Sequence, residues 1–157
     1  MTHTRRAVAA CCLAALVVMA VGPVTGAWAS KASIKGALKS YDGKIAVAEG
    51  HTLTALGEYK TTKNAAPVEE AISQSVTVLS ALRTKIESQS AGTPKVKAAK
   101  SKLVKGLEAI ILSYGKLKAA FADKASSPEA AQAEATKALA AVKIGRKQLN
   151  EAAKLLG

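Results

Sequence analysis

From Ile34 to Leu156 the apolar residues return at alternating steps of four and three, a spacing that holds them on one side of an α-helix. Four runs follow this rule. The first is Ile34, Leu38, Tyr41, Ile45, Ala48, Thr52, Ala55 and Tyr59; the second is Val68, Ile72, Ser75, Leu79, Leu82 and Ile86. The third is Val96, Ala99, Leu103, Leu107, Ile110, Tyr114, Leu117 and Phe121, and the fourth, richer in alanine, is Ala135, Ala138, Val142, Gly145, Leu149, Ala152 and Leu156. No stretch alternates apolar and polar residues between turn signals, so strands have no claim on the chain.

The residues between the runs agree with helix ends. Thr93-Pro94 and Ser127-Pro128 each place a hydroxyl at a cap and a proline at the first helical position, where the missing N–H costs nothing. Pro67 opens the second helix in the same way, and Gly92 follows the second run where a left-handed terminating residue is expected. The spacing thus predicts helices over about 31–61, 67–90, 94–124 and 128–156. Connections this short force neighbours to run in opposite directions, which predicts an all-α, up-down-up-down four-helix bundle over residues 30–157. A coiled-coil oligomer is the competing arrangement, because self-associating helices use the same seam.

The first 29 residues read as a cleavable signal peptide. Met1 to Arg6 form a cationic head, Ala7 to Val21 an apolar run broken by Gly22 and Pro23, and Ala27-Trp28-Ala29 supplies the small residues of a cleavage site after Ala29. The uninterrupted apolar run is shorter than the ~20 residues a membrane-spanning helix needs, which disfavours a retained anchor. Cleavage removes Cys11, Cys12, Met1, Met19, His3, Arg5 and Arg6, leaving a chain without sulfur and with one histidine, His51. Thiol catalysis, cysteine-held metals and covalent haem attachment lose their ligands. The 23 Lys and Arg of the full chain become 21 against 11 Asp and Glu, a formal charge of +10.

Antiparallel neighbours would gather that charge at one end. The start of helix one carries Lys31, Lys35, Lys39 and Lys44, and the end of helix two Arg83 and Lys85. The start of helix three carries Lys95, Lys97, Lys100, Lys102 and Lys105, and helix four ends with Lys143, Arg146, Lys147 and Lys154. Three carboxylates, Asp42, Glu87 and Glu151, share that half. Lysines opening helices one and three oppose the local helix dipole by ~0.3–1 kcal/mol each, so helix stability does not account for them. These fifteen cations are the candidate polyanion-binding residues, and the expected partner is an anionic envelope polymer or lipid surface. Solubility alone is the plainer account of the same lysines. Export disfavours nucleic acid, as does the lack of aromatic residues interleaved with the lysines.

Gly36, Gly43, Gly50 and Gly57 recur every seventh residue of helix one, each costing ~0.8–1 kcal/mol relative to alanine. They form a strip with Ser40, Val47 and Thr54 opposite the core face, a candidate packing or partner face and a possible homodimer seam. A flexible first helix is the alternative.

Catalytic and cofactor patterns are few. His51 has no second axial partner for haem after cleavage, and no Glu-x-x-His pair offers a di-iron centre. Ser113 and Lys116 match Ser-x-x-Lys, but inside a long helical run and without the companion motifs of acylating enzymes. Glu69-Glu70 suits the dipole at the start of helix two. No catalytic residue, metal or cofactor is therefore assigned. The sequence reads as an exported, non-enzymatic binding protein, secreted or held at the cell envelope. The alternative is an interaction or assembly module working through the glycine face.

Overall fold

The computed structural model describes residues 29–122 and 128–157, and every regular element among them is an α-helix. They are α1 (Ala29–Thr62), α2 (Ala66–Glu87), α3 (Pro94–Ala122) and α4 (Pro128–Leu156). The leader assigned to residues 1–29 lies outside the described residues, apart from Ala29, with which α1 begins. The cap expected at Ser127 lies outside them too.

The four-three periodicity is the core. Ile34, Ile72, Leu82, Ile86 and Leu107 are at most 2% exposed, and Val68, Val96, Leu103, Ile110, Leu149 and Leu156 are buried with them. Each such side chain contributes ~1.5–3 kcal/mol through loss of apolar surface from water. Leu38, Tyr41, Tyr59, Leu117 and Phe121 line its margin half-buried, and the rings of Tyr59 and Phe121 meet edge to face with centroids 5.0 Å apart. Ala37, Ala71, Gly106 and Ser113 are also buried, one step to the side of the apolar runs, where a residue small enough lets two helices close.

Among the described residues the buried polar side chains are three hydroxyls, Thr52, Ser75 and Ser113, and the first two join α1 to α2. The Ala48 carbonyl accepts from Thr52 Oγ1 at 3.0 Å and from Ser75 Oγ at 3.2 Å, and the two hydroxyl oxygens are 3.0 Å apart. Ser113 Oγ donates to the Ala109 carbonyl one turn back at 2.5 Å. That bond and its burial account for Ser113 within the helix, while Lys116 is exposed.

Helices adjacent in the chain pack on one another, and the α3–α4 interface is the most extensive; α1 meets α3 only sparsely. Two glycines set the α3–α4 distance. A Cβ on Gly145 would stand 2.7 Å from the Gly106 carbonyl oxygen, and one on Gly106 would stand 2.8 Å from that of Gly145. Only hydrogen side chains allow two backbones this close.

The ends of α2 depart from expectation in one respect. Gly92 does not terminate it; the helix stops at Glu87, and Ser88 caps it in the right-handed region (φ −73°, ψ −13°). The cause is competition for carbonyls. Ser88 Oγ and Gln89 Nε2 both donate to the Lys85 carbonyl, at 2.8 and 2.9 Å, and pull the chain out of the helical path. Left-handed backbone instead occurs at Lys63 (φ 57°), just past α1, where its N–H bonds to the Tyr59 carbonyl at 3.0 Å. At the start of α3 the Thr93 hydroxyl accepts from the Val96 N–H at 3.2 Å, the cap anticipated for Thr93-Pro94.

Candidate functional site

Three sets of contacts draw the lysine-bearing helix ends together. Lys31 Nζ and Lys35 Nζ donate to the Gly157 oxygen at 3.0 and 3.2 Å, joining the start of α1 to the end of α4. Lys100 Nζ donates to the carbonyls of Glu87 and Gln89, at 2.6 Å each, and joins α3 to the end of α2. Lys102 pairs with Glu151 across the α3–α4 seam. All three use lysine ammoniums on carbonyl or carboxylate oxygens, two of them at helix C-termini, where orphan carbonyls need donors.

The electrostatics follow from this crowding. Loss of solvation, and then the neighbouring Lys31 charge, push the Lys35 ammonium below its ordinary pKa. Glu151 is held below the usual carboxylate range, first by its hydrogen bond from Lys102 and then by the same lysine's charge. Lys39, Lys85, Lys95, Lys97, Lys105, Lys143, Lys147 and Lys154 are exposed.

Not every cation assigned to this end belongs there in the same way. Arg83 is bracketed by carboxylates, 3.1 Å from Glu87 and 2.9 Å from Glu108, so its charge is largely answered. Glu108, halfway along α3, thereby becomes a partner of a cation near the end of α2. Arg146 lies beside Gly145 near mid-helix, where its charge opposes the upward shift that burial imposes on Glu49. Burial, and secondarily the Glu49 charge, push the Tyr114 phenol up to about 12. Lys44 sits over its own helix neighbour Tyr41, 4.9 Å from the ring centroid.

A groove appears at this end that the sequence did not mark. An open space of about 560 Å³ lies between the α2–α3 connection, with Gln89, Ser90 and Ala91, and one face of α3, with Lys97, Ser101, Val104 and Lys105. Lys100 and Glu108 complete the lining. On a helical wheel Lys97 and Lys105 are about 80° apart. Grouping the lysines by flank places Lys105 with Lys95, Lys102 and Lys116, and the wall supplied by the connection regroups it with Lys97.

The remaining candidates are simply placed. Gly36, Gly43, Gly50 and Gly57 face open space, with no atom within 4 Å of an added Cβ, and Val47 beside them is 59% exposed. His51 is exposed, and its Nδ1 donates to Gln74 Oε1 at 3.3 Å. Among the described residues no three His, Cys, Asp or Glu side chains group as metal ligands, and no helix is long and apolar enough to cross a membrane. No family model, curated protein or solved structure matches the chain.

Proposed function

We propose that the chain is an exported, non-enzymatic, up-down-up-down four-helix bundle. In this reading it loses its leader after Ala29, is secreted or stays at the cell envelope, and binds an anionic polymer or lipid surface through its lysine-rich pole. The observation that carries the reading is the set of lysine contacts linking both ends of the chain's described part to the α2–α3 connection. Lys31 and Lys35 meet Gly157, Lys100 meets Glu87 and Gln89, and Lys102 meets Glu151. They support antiparallel neighbours and a shared pole for the surrounding exposed lysines.

The physics of such a pole is long-range attraction with little geometric selectivity. Exposed ammoniums contribute ~1 kcal/mol each near an anionic surface, and the field decays over ~8–10 Å at moderate salt. Retention of the purified protein on anionic vesicles or heparin should therefore fall steeply along a salt series. Elution independent of salt is the result that contradicts the proposal.

The glycine face of α1 supports a second reading as an association surface, because it is open along its length and Val47 is exposed within it. Replacing all four glycines by alanine separates this from a merely flexible helix. Loss of a dimer in solution favours the surface, and unchanged mass with more helix favours flexibility.

A further inference from the structure

We propose that the groove between the α2–α3 connection and α3 seats a linear polyol polymer linked by phosphodiesters. The proposal rests on the reading of the basic pole as an anion-binding end and locates the contact within it.

The groove exists because α2 stops early. Lys100, six residues into α3, bonds the last carbonyls of α2, so α2 ends level with Lys100 instead of with Pro94. From Ser88 to Thr93 the chain is not helical, and Gln89, Ser90 and Ala91 form a wall facing α3. Lys100 fixes that wall with two of its three N–H donors.

Charge in the groove is left over for a ligand. The one carboxylate, Glu108, is taken by Arg83 at 2.9 Å. Lys97 and Lys105 are exposed, and their ammoniums have no hydrogen-bond or ion-pair partner among the described residues. Eight residues separate them, about 12 Å of helix axis, a span that a chain carrying several anionic groups covers better than a single anion. Lysine binds phosphate as a point charge without demanding one orientation, which suits a flexible chain.

The rest of the lining argues for a polyol and against a bilayer. Ser90 and Ser101 offer hydroxyls, and Gln89 its amide oxygen, to neutral hydroxyls between the phosphates. The apolar residues are Ala91 and Val104, without the Trp, Phe or Leu that an interfacial anchor inserts among lipids.

The test measures binding of soluble oligo(glycerol phosphate) by calorimetry at low salt, with phosphatidylglycerol vesicles and inorganic phosphate as parallel probes. Two charge-matched double variants are compared, K97Q/K105Q in the groove and K39Q/K154Q at the same pole outside it. The groove pair should weaken oligomer binding about tenfold or more, and the control pair less than about threefold. Amide resonances of Gln89 to Ala91 and Lys97 to Lys105 should shift with oligomer in the unaltered protein, a readout independent of any variant. Equal losses in both variants overturn the groove while leaving the basic pole standing. Vesicles bound more tightly than oligomer, with no effect of K97Q/K105Q, assign the pole to membranes and also overturn the groove. Inorganic phosphate competing as well as oligomer, phosphate for phosphate, removes the polymer. Absence of binding to oligomer and vesicles alike overturns this proposal and the reading beneath it.

Discussion

Glycine meets opposite surroundings in two parts of this molecule. Along α1, four glycines spaced by seven look out on empty space, and nothing in the fold requires them to lack a side chain. Between α3 and α4, Gly106 and Gly145 stand so close that a Cβ on either would come within 2.8 Å of the other's carbonyl oxygen. The same residue loosens one helix and lets two others lock. Backbone entropy is the cost in both places, and only at the seam is it offset by contact.

The comparison can be broken most directly at the seam. The double variant G106A/G145A should lose about 4 kcal/mol in denaturant unfolding, since overpacking costs about 1–3 kcal/mol per methyl and the obstacle here is backbone. Unchanged stability would mean that the helices separate freely and the seam is not closed. In α1 the sign reverses. G36A/G43A/G50A/G57A should gain about 3 kcal/mol from helix propensity, read as a higher denaturation midpoint, because no neighbour resists the added methyls.

A third test asks how tightly α1 covers the other helices. Tyr114 of α3 lies 4% exposed beside a cavity of about 10 Å³ that Ile45, Ala48 and Glu49 of α1 help to line. Its pKa is raised from 10.0 to about 12 in the fold, so the folded state holds the proton more firmly than the unfolded chain. Stability is therefore unaffected by this group below its unfolded pKa. It should decline as pH rises through the folded value, by about 2–3 kcal/mol in total. Y114F should flatten that alkaline decline. A phenolate signal at the ordinary tyrosine value that disappears in Y114F would show water reaching the ring beneath α1.

The smallest effects belong to the ends of the seam. T93A should cost about 1 kcal/mol by freeing the Val96 N–H at the start of α3, measured as a lower unfolding midpoint. Glu151, held below its ordinary pKa by Lys102, contributes stability above the unfolded carboxylate value, and this is lost as pH falls through the folded one. E151Q should remove that acid-limb contribution without changing stability near neutrality by much, the pair being exposed to solvent.

Much of this was legible in the chain itself. Every described residue of the second and fourth apolar runs is buried, because a repeat near 3.5 residues can place its apolar members only along one helical stripe. The starts of α3 and α4 fall at Pro94 and Pro128, and that of α1 within two residues of the expected position. Less legible were the residues whose meaning is interhelical. Gly145 was readable as a core position, but Gly106 was not, since a glycine carries no hydrophobic signal and gains one only from the backbone that approaches it. Charge was similarly divided. The lysines at particular helix ends are read from their places along the chain, yet which of them are spent inside the protein is not.

The amino-acid order determined four helices, their apolar stripes and the abundance of lysine at particular helix ends, because periodicity and caps act through neighbours a few residues away. Tertiary structure alone decided that Lys100 is consumed in closing α2 while Lys97 and Lys105 stay available. It also decided that α2 yields its last turn to make a wall. Those outcomes depend on which carbonyls, carboxylates and backbones arrive from distant parts of the chain, and local sequence carries no record of distance.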